Sequence, residues 1–176
     1  YCGVMGHEVR ASAGLGVGKT PVIPREVQSA LFLHCERIFN LAENLFSQRD
    51  AGALGPSTEP MRDLRDACLY LLSITSGMRN DEVIGIEVGA GRREVREGVE
   101  FCWVTSVEHK TGKGRVEYMV PPMTLKVVEV LERYSEPLRA TLKEEIHALE
   151  ASIAQMKDAA GRRDLVKRLN QARGDR

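Results

Sequence analysis

The sequence predicts a mixed α+β fold, mainly helical: helices plus a small antiparallel β-sheet or hairpin, with a C-terminal helical hairpin or coiled-coil arm. Three observations carry this expectation. Apolar residues recur at helical spacing through 25–48, 61–76 and 123–134. Between 99 and 120 the period changes: Val99–Val104 is rich in aromatic and β-branched residues and Val116–Val120 alternates, on either side of a Thr111-Gly-Lys-Gly114 turn. From Leu142 to Ala160 the apolar steps run four, three, four, three, four, which is a heptad seam. The 176 residues suffice for one domain with a real core. The expected division is a linker over 1–23, a folded unit over 24–137 and the arm over 138–176.

Residues 1–23 are punctuated by glycines and by Pro21, with no periodicity. Gly14-Leu-Gly-Val-Gly-Lys-Thr20 fails the phosphate-loop spacing, because Ala13 stands where a glycine is needed. No strand precedes it, and Pro21 and Pro24 obstruct a following helix. Pro24 suits a first helical turn. Val27, Leu31, Ile38, Leu41, Ala42 and Leu45 then predict one helix from Arg25 to about Gln48, carrying His34 as a packing or surface residue. Gly52 and Gly55-Pro56 end it. Ser57 and Thr58 offer an N-cap to a helix over Met61–Ser76, whose stripe is Leu64, Ala67, Cys68, Leu71, Leu72 and Thr75. Gly77 fits the left-handed position after its end. Asn80 or Asp81 can cap a short helix through Val83 and Ile84.

Gly89-Ala-Gly91 reads as a turn. Val99–Val104 and Val116–Val120 predict a hairpin, with Val107–Lys110 continuing the first strand or pairing with it, and a third strand near 84–88 or 93–95. Pro121-Pro122 stops the second strand. Met123–Tyr134 predicts a helix that Pro137 interrupts or restarts. Gly161 breaks the heptad phase, and Leu165, Val166, Leu169 and Ala172 suggest a shorter return helix.

Composition excludes some functions. Apolar residues at 43% and charged residues at 28% suit a soluble globular chain. No apolar run approaches the ~20 residues that span a bilayer, so no membrane partner is expected. The N-terminus has no signal-peptide pattern and no initiator Met, so a piece of a longer protein is expected. Cys2, Cys35, Cys68 and Cys102 are scattered without a C-x-x-C pair, which predicts buried thiols of a reducing cytoplasm and no metal. Net charge is zero. Arg92, Arg93, Arg96, Lys110, Lys113 and Arg115 nevertheless cluster in the middle, compatible with a local basic face.

The chemistry concentrates in two stretches. One is Thr75-Ser-Gly-Met-Arg-Asn-Asp-Glu-Val83, where Arg79 follows a helix end and Glu82 stands three residues on. The other is His109-Lys-Thr-Gly-Lys-Gly-Arg-Val-Glu-Tyr-Met-Val-Pro121, at the hairpin. A planar, always charged guanidinium at a tight corner can meet two oxygens of a phosphodiester at once. A lysine at a hairpin tip can reach DNA and supply a proton to a leaving alkoxide.

The order of helix, Gly-x-Arg-x-x-Glu corner, Lys-Thr-Gly-Lys hairpin and Val-Pro strand end resembles the first half of the catalytic domain of the tyrosine recombinases, the phage integrase family. It covers residues 61–125, and 24–137 would then be a partial integrase-like catalytic domain. The resemblance implies that Arg79 binds the scissile phosphate, that Lys110 is the hairpin general acid and that Glu82 supports the site. Lys110 matches the family position better, and Lys113 stays open as the alternative. Arg92, Arg93, Arg96, Lys113 and Arg115 would be DNA-binding charges.

The resemblance implies double-stranded DNA as partner and a phosphotyrosyl intermediate, with neither metal nor small-molecule cofactor. The family's later His-x-x-Arg box and C-terminal tyrosine have no match. Tyr134 is the last tyrosine, and Tyr118 and Tyr134 suit packing. This chain alone is therefore expected to hold no nucleophile and to be inactive. The alternative is a non-catalytic DNA-binding or protein-association module that uses the basic hairpin and self-associates through 138–176.

Overall fold

A computed structural model describes residues 22–108, 114–156 and 159–173. It has the expected class, mainly helical with one small antiparallel sheet. The elements are α1 (Arg25–Phe39), α2 (Ala42–Asp50), α3 (Glu59–Ser76), α4 (Asn80–Ile84), β1 (Gly91–Arg96), β2 (Val99–Glu108), β3 (Gly114–Val120), α5 (Pro122–Gln155) and α6 (Ala159–Arg173). Most of the readings on 1–23 lie outside the described residues, as do Cys2, Lys110 and Lys113.

Helix α3 is the axis of the core. Met61, Leu64, Cys68 and Leu71 are fully buried at spacings of three and four, so one side of the helix is wholly enclosed. Helices α1 and α5 pack against it. The hydroxyl of buried Thr124 of α5 donates to Thr75 Oγ1 of α3 at 2.9 Å.

The single helix expected over 25–48 is two. Leu41 donates to the Ile38 carbonyl at 3.0 Å, a tightened turn that ends α1. This rotates the chain so that Ala42, Leu45 and Phe46 of α2 face inward. Val27, Leu31 and Leu41, part of the helical spacing, are exposed, and Cys35 is the buried residue of α1.

Strands β1, β2 and β3 form an antiparallel sheet in that order. The third strand therefore lies at 91–96, not at 84–88. Glu97 and Gly98, at φ 51° and 78°, make the two-residue loop between Arg96 and Val99. Positive φ at both positions matches the right-handed strand twist. Cys102, Val104 and Ser106 of β2 are buried and line the inner face, and Val120 joins them from β3. Gly91 permits the sheet to approach α5, since a Cβ there would meet Leu125 Cδ2 at 3.2 Å. Cys35, Cys68 and Cys102 are buried free thiols.

Pro137 neither interrupts nor restarts a helix. It sits inside α5, which is 34 residues long and so spans about 51 Å. A proline inside a helix leaves the carbonyl four residues earlier without its N–H partner. That carbonyl belongs to Arg133, and Arg49 Nη1 of α2 donates to it at 2.9 Å. The Arg49 guanidinium also lies 4.8 Å from the Phe46 ring and pairs with Asp50 at 2.8 Å, which fixes its position. A long-range donor thus replaces the missing helical one.

Beyond Pro137, α5 projects as the expected arm and α6 folds back on it, burying Leu149 and Leu169. The break between them falls at Met156, whose backbone is extended at φ −79° and ψ 121°, and Gly161 lies within α6. Arg173 pairs with Glu150 across the hairpin.

Candidate functional site

The site is the corner between α3 and α4. Ser76 begins it, its hydroxyl donating to the Leu72 carbonyl and receiving the Met78 N–H at 3.2 Å. Gly77 then takes the left-handed conformation, φ 66° and ψ 12°, which ends α3 as its sequence position predicts. Met78 turns inward and is buried.

Arg79 is extended, φ −71° and ψ 158°, and is itself the N-cap residue of α4, one place before the Asn80 or Asp81 expected there. An arginine side chain has no acceptor with which to cap a helix. Glu82 does the capping instead. Its carboxylate reaches back to accept the Arg79 N–H at 2.7 Å. The same carboxylate lies 3.4 Å from Arg79 Nη1. The Glu82 side chain is only 7% exposed while that of Arg79 is 61% exposed. The buried acid therefore fixes the backbone of the corner, and the guanidinium projects to solvent.

The corner is tied to the hairpin by a contact that sequence reasoning missed. Ser106 of β2, itself buried, donates its hydroxyl to the main-chain carbonyl of Glu82. Gly85, just after α4, seats the helix end against the same strand; a Cβ there would meet the Val107 carbonyl at 3.1 Å and Ser106 Oγ at 3.2 Å. The strand so engaged leads directly into residues 109–113, which hold Lys110 and Lys113. Those two lie outside the described residues. The available signal was Ser106 itself, a polar residue in phase with inward-facing Cys102 and Val104.

The sheet arginines are all paired with carboxylates. Arg92 bonds Glu94 at 2.9 Å and Glu117 at 3.2 Å, and lies 5.7 Å from the Trp103 ring. Arg93 meets Glu100 at 3.2 Å and Glu129 at 3.7 Å. Arg96 bonds Glu94 at 2.8 Å. Arg115 reaches Glu87 at 2.6 Å, across a small cavity of about 120 Å³ beside Gly85 and Ser106. Hydrogen bonds from Arg96 and then Arg92 hold the Glu94 carboxyl below the usual range. A phosphate contact by these arginines would have to exchange with a carboxylate already in place.

Among the described residues no group of His, Cys, Asp and Glu is arranged to hold a metal ion, and no helix is long and apolar enough to cross a membrane. Tyr118 and Tyr134 pack against the core. Set beside known proteins, the chain matches no family model, no curated protein and no solved structure.

Proposed function

We propose that this chain carries the phosphate-binding half of a DNA strand-exchange site of the tyrosine-recombinase kind. The observation that carries the reading is the Ser106–Glu82 bond, which joins the Arg79 corner to the strand leading into the lysine hairpin. The resemblance requires those two stretches to work as one site. Arg79 has the attributes of a phosphate anchor: an exposed guanidinium on a backbone fixed by a buried carboxylate.

In this reading Arg79 spans two non-bridging oxygens of the scissile phosphate. A hairpin lysine, Lys110 or else Lys113, gives its proton to the departing 5′-oxygen. A tyrosine from outside this chain attacks phosphorus and becomes linked to the 3′-phosphate. Glu82 acts as a positioning residue through the Arg79 main chain. The sheet arginines serve as secondary DNA contacts after exchanging their carboxylates for phosphates. The coding sequence downstream of residue 176 tests the enzyme reading. A His-x-x-Arg box followed by a late tyrosine is expected, and an open reading frame holding neither would overturn it.

A further inference from the structure

The positive charge best placed to meet a polyanion lies on the arm, not on the sheet. From 24 to 137, eighteen Asp and Glu face fourteen Lys and Arg; from 138 onward, nine Lys and Arg face six acids. Helix α6 concentrates that excess. Arg162, Arg163, Lys167 and Arg168 fall within seven residues, with Asp164 as the one acid among them. All four cations are exposed. Among the described residues none of them meets a carboxylate, in contrast to Arg92, Arg93, Arg96 and Arg115.

Geometry narrows the partner. The apolar side of α6, centred on Leu169, is taken up by α5, so the helix has no free apolar face to insert into a bilayer. Arg163 and Lys167 stand one turn apart on the side away from that seam, about 6 Å along the axis. Arg168 lies to one side of them, and Arg162, exposed in the first turn, lies nearer the Leu169 edge. A DNA strand carries one phosphate per ~3.4 Å of axis, so this pair spans about two phosphates. The packing of α6 on α5 presents the charges on an already folded helix, which lowers the cost of ordering them on binding.

We propose that the solvent side of α6 is a contact surface for the phosphate backbone of duplex DNA. It does not rest on the role given to Arg79, since the two groups of charges lie on different elements and are tested by different variants.

The test is fluorescence anisotropy of a labelled duplex with the whole 176-residue chain, from 50 to 200 mM salt. The variant replaces Arg162, Arg163, Lys167 and Arg168 by Gln, a residue of similar helix propensity, at exposed positions. Four lost phosphate contacts flatten the slope of log K against log salt by up to about 3.6, and a drop of about 2 or more is expected. The double variant Arg163→Gln/Lys167→Gln should give about half of that change. A charge-matched control replaces the scattered exposed cations Arg25, Arg62, Lys126 and Lys143 by Gln. The proposal is overturned by a slope that the α6 substitutions leave unchanged, by an equal loss in the control, or by no duplex binding at 50 mM salt. It is also overturned if phosphatidylserine vesicles bind the chain as tightly as the duplex does.

Discussion

The joint between Arg49 and Pro137 decides whether the arm springs from the core as a rigid continuation of α5. Replacing Arg49 by Ala removes a charged donor from the Arg133 carbonyl, a bond of 2.9 Å. A hydrogen bond of that kind contributes about 1.5–3 kcal/mol. The stacking on Phe46 adds about 0.5–1 kcal/mol, and the exposed Asp50 pair adds little. The expected cost is about 2–4 kcal/mol.

Pro137→Ala supplies the missing N–H, so the Arg133 carbonyl then has a helical donor of its own. In that background Arg49→Ala should cost only about 1 kcal/mol. The four proteins form a double-mutant cycle, read by urea unfolding at 25 °C with far-UV circular dichroism. A coupling of about 1.5 kcal/mol is expected. A coupling under about 0.5 kcal/mol, with unchanged denaturant slopes, would refute the idea that Arg49 stands in for the helical N–H.

Three further outcomes are expected. Ser106→Ala leaves the Glu82 carbonyl without its hydroxyl donor, costing about 1–3 kcal/mol and lowering Tm by about 2–12 °C; a shift under about 1 °C would deny the tie between corner and hairpin. Burial pushes the Cys68 thiol up to about 12, so a thiol reagent at pH 8 should modify it only at the rate of unfolding, and prompt labelling in native buffer would contradict its placement. Glu94 and Asp50 have carboxyls held low, chiefly by hydrogen bonds from Arg96 and Arg49 respectively. Their stabilisation is present above the unfolded carboxyl values of about 4 and is lost as pH falls through the lower folded values. Tm should therefore fall as pH drops below about 4, and less steeply in Glu94→Gln; parallel curves for variant and wild type would exclude the Glu94 contribution.

Much of this fold was legible because its signals are local. Gly77 announces the end of α3, and the aromatic and β-branched residues of Val99–Val104 announce β2. The readings that changed depend on contacts far apart in sequence. A proline normally ends a helix, and only a donor from α2 lets α5 pass through Pro137. The two-helix arrangement of α1 and α2 follows from which side of each meets α3, which helical period alone does not decide. At the site, Arg79 and Glu82 could be nominated from spacing. Their division of labour, with Glu82 buried to hold the backbone and Arg79 exposed, required the structure. The sheet arginines read as a local basic face in the sequence because several of their carboxylate partners lie on neighbouring strands and helices. The cations of α6 carry no such local signal, since charged residues on a heptad helix are its ordinary solvent side.

The central claim is that the corner presents Arg79 to a DNA phosphate. Duplex binding by wild type and Arg79→Ala, titrated between 50 and 200 mM salt, tests it most directly. The Arg79 side chain is 61% exposed and its main-chain N–H, which the substitution keeps, makes the bond to Glu82, so far-UV circular dichroism of the variant should match wild type. Loss of one charged contact of about 1.5 kcal/mol weakens binding about tenfold and flattens the salt slope by about 0.9. Superimposable isotherms at every salt concentration would contradict the assignment of Arg79 to the phosphate, whatever the α6 surface contributes.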